Sequence, residues 1–215
     1  MAEVKACLFD LDGVIVDTAK YHYLAWKRLA NELGFDFTEQ DNERLKGVSR
    51  VRSLEILLEI GGITLDEQEK QAGMDRKNGW YLEYINKMDS SEVLPGVKAF
   101  LQALRDNNIK IALGSASKNA MIILRNIDMV SYFDAIVDGT KTSQAKPDPE
   151  VFLLGAKELG VAPSECVVFE DAEAGVEAAK RAEMYCVGVG SAEQLGQADF
   201  VIASFDEMSI DRLKF

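Results

Sequence analysis

Phe9-Asp10-Leu11-Asp12-Gly13-Val14 closes an apolar run, residues 4–9, with two aspartates two positions apart. Side chains at i and i+2 of an extended backbone point to the same side, so a strand that begins to turn at Asp10 aims both carboxylates into one small volume. Such a triplet is short enough to arise by chance as a solvated strand end. Its meaning depends on what the rest of the chain brings to it.

Working outward, further short apolar runs of strand type fall at residues 109–114, 135–137, 166–169, 185–189 and 200–202. Between most of them, apolar residues recur every three or four positions, predicting helices over 97–105, 119–127, 150–159 and 173–182. Pro95-Gly96, Pro149 and Gly160 stand where helix starts and stops are expected. This alternation predicts an α/β protein with a doubly wound, Rossmann-like parallel-sheet core covered by helices on both faces. Residues 18–92 interrupt it, with no clear strand and several amphipathic patterns. One helix is expected over 21–33, ending at Gly34, a second from near Thr38, and a third over 51–60 capped by Ser49. Thr64-Leu65-Asp66-Glu67 has capping-box spacing before a long helix reaching about residue 88. The expected organisation is a core of residues 1–17 and 93–215 with a helical-bundle cap inserted at 18–92, joined by two adjacent connections that can hinge.

The chain has 215 residues, enough for a substantial core, and its 24 basic and 36 acidic residues give a net charge of −12. That charge opposes binding to nucleic acid and to anionic membrane surfaces. No apolar run approaches the roughly 20 residues that span a bilayer, so no membrane association is expected. The three cysteines, Cys7, Cys166 and Cys186, sit inside apolar runs without paired or metal-type spacing, as buried thiols of a reducing compartment would. A cytoplasmic monomer is the expectation. A single histidine, His22, leaves little material for His-based triads or multi-His metal sites. Catalysis must rest on carboxylates, Lys, Arg and Ser.

Ligands of open parallel sheets bind beyond the carboxyl ends of the strands. That edge would gather Asp10 and Asp12 after the first run, Ser115, Ala116 and Ser117 after the second, and Glu170 and Asp171 after the fourth, with Lys146 in the loop following 135–137. Clustered acids repel one another unless a hard cation lies between them, and the donor set suits Mg2+. An ionised carboxylate can attack phosphorus to give an aspartyl-phosphate, the role expected of Asp10. Lys146, the Ser115 hydroxyl and backbone amides would meet the charge on the phosphoryl oxygens. Asp12 would give a proton to the leaving oxygen and take one from the incoming alcohol.

These motifs, in this order, resemble the haloacid dehalogenase-like superfamily, and within it the β-phosphoglucomutase family. The resemblance spans the chain and is closest at Phe9-Asp10-Leu11-Asp12-Gly13-Val14, Asp17-Thr18-Ala19, Tyr21-His22, Leu45-Lys46-Gly47-Val48-Ser49-Arg50, Ser115-Ala116-Ser117-Lys118-Asn119 and Ala145-Lys146-Pro147. It implies a Mg2+ enzyme interconverting β-glucose 1-phosphate and glucose 6-phosphate through phospho-Asp10 and β-glucose 1,6-bisphosphate. By the same resemblance, Asp10, the Asp12 carbonyl and Asp171 would hold the metal with Glu170 in support, and Ser115, Ala116 and Lys146 the transferring phosphate. Arg50 would grip the distal phosphate, with Ser117 and Asn119 assisting from the core. Trp26, Gly47, Val48, Ser49, Ser53 and Lys77 would line the cap side, and Thr18 and His22 would position Asp12. The chain departs from the pattern at Ala172, where relatives often carry serine, and at Gly114, where alanine or serine is usual.

The same residues also serve a sugar-phosphate phosphatase, in which water attacks phospho-Asp10. A catalytically silent sugar-phosphate-binding protein is the reading from a different class, disfavoured because no core catalytic group is missing.

Overall fold

The computed structural model describes residues 3–214. β1 (Ala6–Phe9), β2 (Lys110–Gly114), β3 (Ala135–Val137), β4 (Cys166–Glu170), β5 (Tyr185–Val189) and β6 (Phe200–Ile202) pair in parallel in the order β3-β2-β1-β4-β5-β6. Strands covered on both faces read as continuous apolar runs, and alternate side chains supply two separate cores. Cys7, Phe9, Leu113, Val167 and Phe169 face one of them, with α5 (Val97–Asp106) and α6 (Ala120–Asn126). Leu8, Ala112, Cys166, Val168 and Cys186 face the other, with α7 (Glu150–Leu159) and α8 (Glu173–Arg181). All three cysteines are buried and free.

Four helices lie between β1 and α5: α1 (Ala19–Glu32), α2 (Glu39–Glu43), α3 (Arg50–Gly61) and α4 (Glu67–Ile85). Thr38 caps α2 and Ser49 caps α3, each accepting a backbone N–H. The expected capping box at Thr64 lies two residues further on, where Asp66 accepts from the Glu69 amide at 2.8 Å and Glu69 accepts from the Asp66 amide at 2.9 Å. A carboxylate at the positive end of a helix is the stronger acceptor. α4 ends at Ile85, short of residue 88, in a turn that buries Met88.

The two connections between core and cap touch each other. Val16 and Val93 form an antiparallel bridge, and the Leu94 amide donates to the Ile15 carbonyl at 3.0 Å.

The chain leaves β1 for β2 and β3 on one side of the sheet, then crosses to β4 on the other, so strand order reverses at β1 and β4. This is the crevice where open sheets bind ligands. Phe9 and Phe169 are register partners with rings stacked at 4.7 Å, and Phe100 and Phe205 pack around them. Burial of each such ring contributes roughly 1.5–3 kcal/mol. Because side chains alternate along a strand, fixing Phe9 against Phe169 in the core turns the next residue of each strand, Asp10 and Glu170, toward the opposite side.

Candidate active site

At the carboxyl edge, the Asp10 amide donates to the Phe169 carbonyl at 3.0 Å, which fixes the first aspartate beside β4. Lys146 donates to Asp10 Oδ1 at 2.8 Å and to Glu170 Oε1, and its ammonium lies 4.9 Å from the centre of the Phe152 ring. Burial opposes the Lys146 charge, but Asp10 and Glu170 outweigh it and hold the ammonium protonated above its usual range. The Phe152 ring also accounts for Gly114: a Cβ there would come within 2.9 Å of it. Glu170 Oε2 accepts from the Ala172 amide at 3.0 Å, so backbone serves this carboxylate.

Asp10, Glu170 and Asp171 bring carboxylate oxygens within 4.8 Å of one another. Burial pushes Glu170 up to about 7, with Lys146 pulling the other way. It lifts Asp171 well above the ordinary carboxylate range, reinforced by the Glu170 and Asp10 charges. One lysine does not neutralise three acids, and an all-oxygen donor set with unbalanced negative charge fits a hard divalent cation. Gly13, at φ +78°, lets the chain pass Asp171: a Cβ there would overlap its carboxylate.

Asp12 accepts from the Thr18 hydroxyl. Burial, then the Asp10 charge, raises its carboxyl to about 7, with Lys146 and Lys77 opposing. A carboxyl that titrates near neutrality can both give and take a proton at working pH. The Ser117 amide donates to Ser115 Oγ at 3.1 Å, and the Asn119 amide to Ser117 Oγ at 3.2 Å, which winds the loop after β2 into a tight turn.

Above this edge lies a cavity of about 490 Å³ between core and cap. Asp10, Asp12, Ala116, Ser117, Asn119, Lys146 and Asp171 line it from the core, and His22, Trp26, Gly47, Val48, Ser49, Arg50, Ser53 and Lys77 from the cap. Ser115, Thr18 and Glu170 are buried behind that lining. The Ser49 hydroxyl accepts from the Arg52 amide, which places Arg50 in the first turn of α3. Gly47, at φ +70°, brings the cap against the core: a Cβ there would sit 2.9 Å from that of Ala172.

Two features had no counterpart in the motif reading. Asn78 Oδ1 accepts from Arg50 at 2.8 Å and from Asn119 at 2.9 Å, so one amide oxygen ties cap to core. Tyr81 lies one turn beyond Lys77 on the same face of α4, and both are buried. His22 meets Lys77 through Nδ1 at 2.8 Å and stacks on Tyr81 at 4.1 Å. Burial, Lys77 and Arg50 push the His22 pKa well below its usual value, so the ring is neutral and Nδ1 accepts from the ammonium.

Lys77 carries a pH signature. Its ammonium lies 4.7 Å from the Trp26 ring centre and 4.6 Å from that of Tyr81, and burial, then Arg50, lowers its pKa to about 7. In the unfolded chain it keeps its proton to about pH 10.4. Between those values the unfolded state binds more protons, so rising pH favours the fold. The buried thiols act in the opposite sense above about pH 8.5, which leaves about pH 7–8.5 as the window. The buried acids Asp12, Glu170 and Asp171, whose pKa values the fold raises, also act against it, so the Lys77 contribution is read as a difference: in urea unfolding of the metal-free protein, wild type should gain stability relative to Lys77→Met as pH rises across this window, and a difference that does not change with pH would remove Lys77 as its source.

Known proteins are similar to this chain over most of its length. A family described as haloacid dehalogenase-like hydrolase matches residues 4–183. A β-phosphoglucomutase of Bacillus subtilis is 45% identical over 212 residues, covering 98% of this chain and 94% of that protein. The crystal structure of a β-phosphoglucomutase from Clostridium difficile superposes with a TM-score of 0.94 at 43% identity, covering 98% of this chain and 95% of the other. A phosphorylated carbohydrates phosphatase of Thermotoga maritima is 36% identical, covering 83% of this chain and 82% of that protein. Among the described residues, no helix is long and apolar enough to cross a membrane.

Proposed function

Because the chain belongs to the haloacid dehalogenase-like hydrolase family, we propose that it acts as a Mg2+-dependent β-phosphoglucomutase, interconverting β-glucose 1-phosphate and glucose 6-phosphate. The observation that carries this reading is that one cavity has a nucleophilic carboxylate, Asp10, in its core wall and a half-buried guanidinium, Arg50, in its cap wall. A mutase must hold a second phosphate away from the one in transfer, and a guanidinium matches phosphate in a bidentate way. A simple phosphatase has no such general requirement.

In this mechanism phospho-Asp10 gives its phosphoryl group to the free hydroxyl of the sugar phosphate, and after the resulting bisphosphate has turned over in the cavity Asp10 takes the phosphoryl group back from the other end of the sugar. Asp12 protonates the departing sugar oxygen and takes the proton from the attacking hydroxyl in the reverse transfer. Lys146 neutralises phosphoryl oxygens beside Asp10, with the Ser115 hydroxyl and the Ala116 amide. Asp10, the Asp12 carbonyl, Glu170 and Asp171 would hold Mg2+, which when bound offsets negative charge on the phosphoryl oxygens. Arg50, Ser117 and Asn119 grip the distal phosphate, while Trp26, Gly47, Val48, Ser49, Ser53 and Lys77 shape the space for the sugar. The helical insert serves as a cap over residues 1–17 and 93–215, excluding water from phospho-Asp10.

The test is incubation of enzyme and Mg2+ with β-glucose 1-phosphate and a trace of β-glucose 1,6-bisphosphate, following glucose 6-phosphate and free phosphate. Glucose 6-phosphate should accumulate; phosphate as the main product would make the protein a phosphatase, and no turnover of any sugar phosphate would make it a binding protein. Arg50→Ala should lower mutase kcat/KM about 10²-fold or more while changing hydrolysis of a small aryl phosphate little, since losing a charged hydrogen-bond partner costs about 1.5–3 kcal/mol or more. Equal losses on both substrates would remove Arg50 from the distal-phosphate role.

A further inference from the structure

Arg50, the cation in the cap wall of the cavity, is held by a neutral partner: its Nη2 donates to Asn78 Oδ1 at 2.8 Å. The same oxygen accepts from Asn119 Nδ2 at 2.9 Å. Arginine can only donate, so the Asn78 atom that faces it is the oxygen, and the Asn119 atom that faces this oxygen is the amide nitrogen. The orientation of both carboxamides is therefore settled by the chemistry of the guanidinium. Among the described residues no carboxylate is hydrogen-bonded to Arg50; Asp75 acts on it by charge alone, and burial outweighs that charge.

The three residues come from separate elements. Arg50 opens α3, Asn78 lies within α4, 28 positions on, and Asn119, a further 41 positions away, precedes α6 in the core. All three line the cavity. A neutral acceptor orients a guanidinium without cancelling its charge, whereas a carboxylate in the same place would do both. Each donor group uses only one of its N–H bonds on Asn78, so the guanidinium and the Asn119 carboxamide both keep donors for phosphate oxygens. An arginine left free loses rotamer freedom when it clasps a ligand, and one already held loses less.

Resting on the reading in which Arg50 and Asn119 hold the distal phosphate, we infer that Asn78 is a positioning residue: its carboxamide oxygen gathers Arg50 of the cap and Asn119 of the core into one preassembled grip for that phosphate. The distal phosphate is bound alike before and during transfer of the other one, so the contribution of Asn78 falls on KM and not on kcat.

Asn78→Ala removes the acceptor and puts a good helix former in α4. Its KM for β-glucose 1-phosphate should rise about three- to tenfold with kcat within about twofold, the size expected when side chains must be ordered by the ligand itself. In an Arg50→Ala background the same substitution should raise KM by less than about twofold, because the grip is already broken. Asn78→Asp keeps the shape and the acceptor but adds charge. By pairing with Arg50 it should hold or raise the thermal midpoint, yet its KM should rise at least as far as that of Asn78→Ala, because the carboxylate cancels the cation and repels the phosphate. A tie that served stability alone would leave KM in this variant at the wild-type value. An unchanged KM in Asn78→Ala, a loss confined to kcat, or losses that multiply in the double variant would each overturn the inference. The two failures are distinguishable. Wild-type kinetics in Arg50→Ala would overturn the distal-phosphate reading and this inference with it, whereas an impaired Arg50→Ala beside an unimpaired Asn78→Ala would overturn the inference alone.

Discussion

Asp10→Asn should abolish phosphoenzyme formation and lower sugar-phosphate turnover about 10⁴-fold or more, as expected when a covalent nucleophile is removed. The substitution is close to isosteric. The amide oxygen can still accept from Lys146, so the 2.8 Å contact that ties the loop after β1 to the loop after β3 is preserved. What is lost is the charge and the lone pair that attacks phosphorus. The fold should survive, since Asp10 stands in a cluster of three acids with one lysine, and neutralising one of them relieves repulsion. Two measurements separate chemistry from folding: mass analysis of the acid-quenched enzyme for a base-labile phosphate on the peptide containing Asp10, and the thermal midpoint. A persisting base-labile phosphoenzyme in the variant would sink the nucleophile assignment.

Lys146→Met should have the second-largest effect, on stability and activity together. The ammonium and the Glu170 side chain are both almost entirely shielded from solvent, so removing the cation leaves two buried carboxylates without their partner. Breaking a buried pair in this way costs about 3–5 kcal/mol. For a chain of this size the thermal midpoint should fall by about 10 °C. The sign of the pH dependence follows from Glu170, whose carboxyl burial has already raised to about 7. Without Lys146 its pKa rises further, so the loss of stability is greatest above pH 7 and shrinks as the pH falls and the acid takes up a proton. Added Mg2+ should restore part of the midpoint by binding only the folded acids, while turnover stays about 10²–10³-fold down, because the phosphoryl oxygens lose a preorganised charge. A midpoint unchanged from wild type at pH 8 would mean that Lys146 is not what balances these acids.

The core was legible because its signals are local. A strand covered on both faces must be apolar throughout, so each of the six runs announced itself, and the polar residues at the ends of three of them, Asp10, Ser115 and Glu170, marked the carboxyl edge. The cap was legible only as helices. α4 is largely polar, and the residues that matter on it, Lys77, Asn78 and Tyr81, follow no apolar stripe. Lys77 entered the sequence reading through family resemblance, and Asn78 and Tyr81 did not enter it at all. A lysine in the middle of a polar helix is ordinarily on the surface. This one is buried because α1 and α4 pack together and bring Trp26 and His22 over it.

Asp10 and Asp12, two residues apart on an extended segment, were bound to share one edge with the acids after β4, whatever the details of packing. That much is a consequence of strand periodicity and parallel pairing, both of which are written into consecutive residues. The division of labour between them came from elsewhere in space. Asp10 faces Lys146, 136 positions away, whereas Asp12 takes the Thr18 hydroxyl and lies in the field of Lys77 from the cap. Burial and charge act through distance and solvent exclusion, which a chain acquires only when remote segments close over the site.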